Sequence, residues 1–231
     1  MFRKLYPDPT VNALCTQFEV NNWLISEFVL KELLPVVGTH PFPLGELALM
    51  VAAACRLKPT HIFDWGTHLG KSARIFYEIS KGFGLPIEIH STDLPEKILH
   101  KEHPGENLGV FLKGILEVKL HSGDGLTRSL EVARKLPPKS RFLFFLDGDH
   151  SFRSVRRELE AITKAFPRAN ILIHDTFYQS RKSGYNIGPY QAIKNLMSKT
   201  AISYKKISTD TGLPGMTLLY QNKNLLEDDH S

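Results

Sequence analysis

The sequence predicts a doubly wound α/β fold, in which a mostly parallel sheet carries helices on both faces. Short apolar segments of strand length alternate with longer stretches of helical periodicity. Glycine and acidic residues follow the ends of these segments, where open α/β sheets bind their ligands. Only the turn-rich stretch 209–214 separates the last two apolar segments, which predicts an antiparallel hairpin at one edge of the sheet.

The composition indicates an ordinary globular protein and excludes disordered and fibrous classes. The 231 residues are 42% hydrophobic and 23% charged, with a formal net charge of +5. The basic residues are spread along the chain, so we expect no dedicated nucleic-acid surface. The polar, proline-interrupted N-terminus and the lack of a long apolar stretch predict a cytoplasmic protein without a membrane span.

The N-terminal part is predicted to be helical. Apolar residues recur at helical spacing from about residue 10 to residue 36, and the pattern stops at Pro35 and Gly38. We expect residues 1–43 to form an N-terminal helical extension that acts as a lid or a dimer contact. Residues 44–231 would form the main domain, beginning with a helix over 47–57.

Strands and helices then alternate. The predicted strands are 61–65, 87–92, 118–121, 141–146, 170–174, 202–207 and 216–220. The predicted helices between the first five strands are 70–82, 95–116 with a break near 104–105, 125–136 and 151–166. The last helix is the clearest, because Val155, Leu159 and Ile162 belong to a single apolar stripe.

The loops after the first two strands indicate a nucleoside-containing ligand. Gly66 and Gly70 follow Asp64 and lead directly into a helix, so the backbone can turn sharply and approach a ligand closely. The spacing fits neither a P-loop nor the dinucleotide fingerprint. Asp93 ends the second strand, where a carboxylate can accept hydrogen bonds from both hydroxyls of a ribose.

The next three strands also end in acidic turns. Gly123-Asp124 follows the third strand, the turn 147–150 (Asp-Gly-Asp-His) the fourth, and His174-Asp175 the fifth. Any one of these acids could be a helix N-cap. Because five strands in succession end in this way, we expect their carboxyl ends to form one binding site.

These residues carry a family resemblance. The segments FDWGTHLGKSA, STD, HSGDG, FLFFLDGDHSFRSVRRELE and ILIHDT resemble class I S-adenosylmethionine (SAM)-dependent methyltransferases. They are most similar to the small-molecule O-methyltransferase-like group with a D-G-D-H turn, of the macrocin and catechol O-methyltransferase type. The resemblance covers about residues 44–220 and implies a Rossmann-like fold and O-methylation of a small-molecule hydroxyl.

The resemblance also implies the cofactor-binding residues, which are Asp64, Gly66, Thr67, Gly70, Ser72, Asp93, Gly123 and Asp124. Gly66, Thr67 and Gly70 would line the methionine portion of SAM. Asp93 would hold the ribose, and Asp124 with its neighbouring glycine would border the adenine.

A divalent metal is a further implication. Metal-dependent relatives hold the ion with a carboxylate after strand four and two oxygen ligands after strand five, and Asp147, His174 and Asp175 occupy these positions. His174 departs from that pattern, and its imidazole suits Mn or Zn better than Mg. Asp147 would orient the acceptor, and Asp149 or His150 would take its proton; for His150 a structural place at the helix N-terminus is the alternative.

The segment 178–190 is the predicted acceptor-binding loop. Its Arg181-Lys182 pair suits an acidic or phosphorylated acceptor. A homodimer is a separate hypothesis. Two other functions stay open. One is a nucleotide- or dinucleotide-dependent enzyme on the same fold, and the other is a non-catalytic cofactor-binding protein.

Overall fold

A computed structural model describes residues 4–12, 14–15, 17–95, 98, 107–179, 181–199, 203–209 and 212–221. The strands are β1 (His61–Trp65), β2 (Glu88–Asp93), β3 (Val118–Ser122), β4 (Phe142–Leu146), β5 (Asn170–His174), β6 (Lys205–Ser208) and β7 (Met216–Tyr220). They form one sheet of seven strands in the order β3-β2-β1-β4-β5-β7-β6. The strand order reverses direction between β1 and β4, which is the switch point where such sheets bind ligands.

The first five strands are parallel, and the last two are antiparallel as predicted. β7 pairs antiparallel with both β5 and β6, so the hairpin closes one edge with β6 outermost. In the register of β1, Asp64 lies opposite Ser91 on β2 and Phe145 on β4. The predicted fold class, a doubly wound Rossmann-like sheet with an antiparallel C-terminal hairpin, is therefore confirmed.

The helices lie on both faces of this sheet. Their bounds are α1 (Asn22–Phe28), α2 (Leu34–Val37), α3 (Leu44–Leu57), α4 (Lys71–Phe83), α5 (Gly125–Ala133), α6 (Phe152–Ala165) and α7 (Gly188–Met197). A π-helical turn, Val29–Leu33, joins α1 to α2, and short 3₁₀ turns occupy Val110–Leu112 and Arg181–Ser183.

Alternate side chains of each strand pack against opposite helical layers. Phe145 of β4 and Ile62 of β1 face the layer formed by α1 to α4, whereas Phe63 and Phe144 face α5, α6 and α7. This follows from the two-residue period of a strand. All five residues of β4 are buried, as expected for a central parallel strand covered on both faces.

The N-terminal helices share a hydrophobic core with the main domain. Phe28 and Leu33 are fully buried, and the Phe28 ring lies where a side chain on Gly82 of α4 would be. Arg56 of α3 donates hydrogen bonds to the carbonyl oxygens of Asn12 and Cys15. The segment is thus packed onto the domain, and its role as a lid or dimer contact stays a prediction.

Three elements differ from the sequence-based expectation. Of the helix predicted over 95–116, residues 96, 97 and 99–106 lie outside the described residues, and the described part contains no α-helix, only 3₁₀ structure. The described residues between 10 and 21 are not helical; Thr10 instead bridges to Val20. Helix α7 was missed because its glycine and proline start reads as a loop, although proline is favourable at the first helical positions.

Among the described residues, no helix combines the length and the apolar character needed to span a membrane.

Candidate active site

A cleft of about 890 Å³ opens at the carboxyl ends of the five parallel strands. Nine of the predicted site residues line it: Gly66, Asp93, Gly123, Asp124, Asp147, Asp149, His150, His174 and Asp175. The structure therefore brings these residues together from five separate loops. The other predicted residues, Asp64, Thr67, Gly70 and Ser72, do not form its walls.

The loop after β1 packs against the turn after β4. Gly66 has a φ of +85°, and its N–H donates to the carbonyl oxygen of Thr92 at 2.9 Å. A β-carbon at Gly66 would collide with the backbone carbonyl oxygen of Asp147. Only glycine allows both the left-handed conformation and this close approach.

A buried hydrogen-bond network supports the loop from beneath. Ser91 Oγ donates to Asp64 Oδ2 at 2.6 Å and lies 2.7 Å from Thr67 Oγ1. Burial raises the pKa of the fully buried Asp64 to about 7, although hydrogen bonds from Ser91 and Ser72 oppose the shift. The cofactor-binding roles predicted for Asp64, Thr67 and Ser72, which for Asp64 is an indirect contact through the loop, stay predictions; all three residues are buried and do not line the cleft.

Asp93 is held in a fixed orientation at the end of β2. Its Oδ2 accepts from the N–H of His68 at 2.6 Å, and its Oδ1 accepts from the N–H of Leu94 at 2.7 Å. Each carboxylate oxygen can accept a second hydrogen bond. Asp93 can therefore bind a vicinal diol such as that of a ribose without rearrangement.

Asp124 and Arg157 close the β3 end of the cleft. Asp124 caps α5 by accepting from the N–H of Thr127 at 2.9 Å, and its other oxygen pairs with Arg157 Nη2 at 2.8 Å. Beside them lies Glu158, a buried carboxyl whose pKa is raised to about 7 by burial. Sequence reasoning missed Glu158; the available signal was an acid next to the apolar stripe of α6.

Asp149 accepts hydrogen bonds from residues at the start of α6. Its oxygens accept from the N–H of Ser151 at 2.9 Å and from Ser154 Oγ at 2.7 Å. Burial opposes ionisation of Asp149, but these hydrogen bonds outweigh it and lower the pKa. The carboxylate is thus occupied by the helix N-terminus, and its proposed role as a base stays a prediction.

His150 stands between two carboxylates. Its Nδ1 lies 3.0 Å from Asp175 Oδ2, and its Nε2 lies 3.4 Å from Asp147 Oδ1. Asn186 Nδ2 donates to the His150 carbonyl oxygen at 2.7 Å and holds the turn. Burial lowers the pKa of His150, but hydrogen bonds and charges from the two aspartates outweigh it and raise the pKa to about 10.

His174 likewise lies between two carboxylates. Its Nδ1 lies 2.8 Å from Asp147 Oδ1, and its Nε2 lies 3.0 Å from Glu46 Oε2. Burial opposes its charge, yet Asp147 and Glu46 raise its pKa to about 10. Burial would raise the pKa of Asp147, but His174 and His150 lower it to about 2.

Glu46 is the site residue that sequence reasoning missed most clearly. It lies on α3, is 2% exposed, and accepts from the N–H of Gly215 at 2.7 Å through its second oxygen. The signal in the sequence was a lone acid near the start of the otherwise apolar segment LGELALMVAAAC. A buried acid of this kind needs partners, and His174 supplies one.

The geometry fits a divalent ion that accepts imidazole ligands. Ligand atoms of Asp147, His150 and His174 lie within 4.8 Å of one another. His150 thus joins two of the three predicted ligands, whereas the Asp175 oxygens face His150 Nδ1 and the Tyr185 hydroxyl, which donates at 2.8 Å. The predicted ligand role of Asp175 stays a prediction.

Comparison with known proteins gives no match to a protein-family model or to a curated protein sequence. The fold, however, resembles solved methyltransferases. An O-methyltransferase from Bacillus cereus, in complex with SAH, is 14% identical with a TM-score of 0.55, covering 85% of this chain and 90% of that one.

Two further structures have similar values. The SAM complex of an O-methyltransferase involved in tomaymycin synthesis in Streptomyces achromogenes is 16% identical with a TM-score of 0.51, covering 87% of this chain and 96% of that one. An SAH-bound methyltransferase of Podospora anserina is 17% identical with a TM-score of 0.50, covering 76% of this chain and 77% of that one. The chain therefore adopts the Rossmann-like fold that these methyltransferases share.

Proposed function

We propose that this protein is a SAM-dependent methyltransferase that transfers a methyl group to a hydroxyl of a small molecule. The observation that carries the proposal is that Gly66, Asp93 and Asp124, from the ends of β1, β2 and β3, line the same cleft as Asp147 and His150. The methyltransferase neighbours solved with SAM or SAH support the same assignment.

The cofactor would extend along the ends of β1, β2 and β3. The methionine portion would lie beside Gly66, which lines the cleft and whose lack of a side chain lets the loop after β1 pack on the Asp147 carbonyl oxygen. The preoriented Asp93 carboxylate would accept from the ribose hydroxyls. Gly123 and the Asp124–Arg157 pair would border the adenine.

Methyl transfer from a sulfonium is an in-line displacement, so the protein must hold the acceptor oxygen near the methyl group and take up its proton. Asp147 and His150 lie on the cleft wall where the acceptor would enter, and Asp149 is the remaining candidate base. A divalent metal at Asp147 would lower the pKa of the acceptor hydroxyl. Tyr185 and Pro214 also line the cleft and would exclude water from it.

Acceptor choice is assigned to the segment 178–190. Tyr185 and Asn186 of this segment contact the site directly through Asp175 and the His150 carbonyl oxygen. Binding of an acidic or phosphorylated acceptor through Arg181 and Lys182 stays part of the proposal, with the Arg181 side chain outside the described part of the structure. A cytoplasmic location and a homodimer also stay part of the proposal.

Calorimetric titration with SAM, SAH and nicotinamide dinucleotides tests the cofactor. We expect SAM and SAH to bind, and Asp93→Ala to weaken both at least tenfold, because ribose hydroxyls lose their acceptor. Glu131→Gln is the matched control, since Glu131 is an exposed acid paired with Arg128 outside the cleft. Binding of a nicotinamide dinucleotide without binding of SAM would refute the proposal.

Turnover tests catalysis separately from binding. Protein incubated with a metabolite pool and SAM carrying a labelled methyl group should release S-adenosylhomocysteine and label a small molecule. SAM binding without any turnover in pools of varied composition would favour the non-catalytic cofactor-binding protein.

A further inference from the structure

We propose that Glu158 of α6 binds the hydrogen-bonding edge of the cofactor's adenine, and that Asp124 only borders the base. This inference rests on the proposed function, because it assigns a residue to the adenine end of the SAM cleft. The sequence-based expectation named only Gly123 and Asp124 at that end, in the loop after the third strand.

Glu158 lies on the face of α6 that is turned to the cleft. Ser154, Arg157 and Glu158 all line the cleft, and residues three and four positions apart lie on one face of a helix. Arg157 Nη2 lies 2.8 Å from Asp124 Oδ2, which brings the second turn of α6 to the end of β3. A nucleoside held through its ribose by Asp93, at the end of the neighbouring β2, would place its base there.

The Glu158 carboxyl is a buried polar group without a protein partner. The residue is only 8% exposed, yet no described residue donates a hydrogen bond to its carboxyl or forms an ion pair with it. Buried polar groups are normally hydrogen-bonded, because burial without a partner costs free energy. Since Glu158 lines the cleft, a ligand bound there can supply the missing partner.

The same burial favours the protonated carboxyl. Burial raises the pKa of Glu158 to about 7, although the positive charge of Arg157 opposes the shift. The carboxylates of Asp124 and Asp149 add to the shift, and His150 opposes it. A protonated carboxyl has an O–H donor beside a carbonyl acceptor. Adenine has the complementary pair on its Watson–Crick edge, an N1 acceptor beside a 6-amino donor, so two hydrogen bonds can form.

Asp124 is less suited to this contact. Its Oδ1 already accepts from the N–H of Thr127 at 2.9 Å and from Thr127 Oγ1 at 2.7 Å, and Arg157 pairs with Oδ2. Burial would raise the pKa of Asp124, but the hydrogen bonds from Thr127 and Arg157 outweigh it and lower the pKa. An ionised carboxylate only accepts hydrogen bonds, so Asp124 has no proton to donate to adenine N1.

The first test compares SAH analogues that differ in one ring atom of the base. In the 1-deaza analogue a C–H replaces N1, and in the 3-deaza analogue a C–H replaces N3, on the opposite side of the ring. Calorimetry on the whole chain at pH 6 measures both affinities. We expect the 1-deaza analogue to bind at least tenfold more weakly than the 3-deaza analogue, because the buried O–H of Glu158 loses its acceptor.

Variants of Glu158 test the carboxyl itself. In Glu158→Leu the affinity for SAH should fall at least tenfold and the two analogues should bind equally, because the partner of N1 is gone. Glu158→Gln keeps one donor and one acceptor, so it should bind SAH within about threefold of the unaltered protein at pH 6. Glu160→Gln is the matched control on the same helix, because Glu160 lies outside the cleft lining and pairs with Arg156 and Lys199.

Two further measurements separate binding from a structural role. Between pH 6 and pH 8 the affinity of the unaltered protein for SAH should fall about tenfold more than that of Glu158→Gln, because ionisation of Glu158 removes the donor. In urea unfolding Glu158→Leu should be at least as stable as the unaltered protein, because it removes a buried polar group that has no protein partner. Lower stability of Glu158→Leu with unchanged SAH affinity would show a structural role and overturn the proposal.

Other outcomes would also refute it. Equal binding of the two analogues to the unaltered protein would show that no group reads N1. If Asp124→Asn abolishes the difference between the analogues and Glu158→Leu retains it, Asp124 binds the base. Both outcomes leave the proposed function intact, because SAH still binds. Failure of the unaltered protein to bind SAM and SAH would instead overturn the proposed function, and the adenine contact with it.

Discussion

Gly66→Ala is the substitution for which the structure makes the sharpest prediction. The φ of +85° places Gly66 in the left-handed region, and the added β-carbon would overlap the Asp147 carbonyl oxygen. That oxygen belongs to the backbone and cannot rotate away. The substitution must therefore push the loop after β1 and the turn after β4 apart.

The magnitude has two parts. Left-handed backbone strain in a residue with a β-carbon costs about 1–2 kcal/mol, and overpacking against rigid groups costs about 1–3 kcal/mol more. Gly114→Ala isolates the first part, because Gly114 has a φ of +79° and no atom within 4 Å of the added β-carbon. We expect Gly66→Ala to be less stable than Gly114→Ala by about 1–3 kcal/mol.

Urea unfolding of the two variants measures this difference, and calorimetry measures SAM affinity. Gly66→Ala should also weaken SAM at least tenfold, whereas Gly114→Ala should bind SAM like the unaltered protein, because Gly114 lies outside the cleft lining. Equal stability of the two variants, together with unaltered SAM affinity in Gly66→Ala, would refute the close packing of loop and turn.

Three further predictions concern groups away from the cleft surface. The pKa of Asp64 is about 7 in the folded protein against an ordinary 3.8, so ionisation of Asp64 opposes folding as the pH rises. Between pH 5 and 8 the free energy of unfolding, measured with urea, should fall by about 2–3 kcal/mol more in the unaltered protein than in Asp64→Asn. Parallel pH profiles of the two proteins would contradict this. Cys55 is 1% exposed and burial raises the pKa of its thiol, so in the native protein a disulfide reagent should modify only the half-buried Cys15. Fast reaction of the single remaining thiol in Cys15→Ser would count against this. Gly82→Ala should destabilise the protein by about 1–3 kcal/mol, because the added methyl group would overlap the Phe28 ring. In a double-mutant cycle, adding Phe28→Leu should recover part of that loss, and simple additivity would show that the two residues do not touch.

The sequence alone was sufficient for the sheet and for the location of the cleft. Strand periodicity is local, so β1 to β5 and the C-terminal hairpin could be predicted within one or two residues for most strands. Parallel strands bring their carboxyl ends to one edge, so Gly66, Asp93, Asp124 and Asp147 were expected to share a site.

Tertiary structure decided how these residues are used. The sequence places Asp64 in the first loop motif, and the register of β1 against β2 decides that its side chain is buried beneath that loop, where it accepts from Ser91. Which side chains converge depends on backbone geometry that spacing does not show. Asp175 has a φ of +57°, and its carboxylate meets His150 and Tyr185.

Glu46 shows most clearly that sequence spacing does not reveal which side chains converge. It is separated from His174 by 128 positions, and only the packing of α3 over the ends of β5 and β7 brings the two within 3.0 Å. The sequence by itself determined the fold and the edge of the sheet that carries the site, because both follow from local periodicity and strand direction. Only the tertiary structure decided which carboxylate faces which imidazole, because those contacts depend on packing between distant segments.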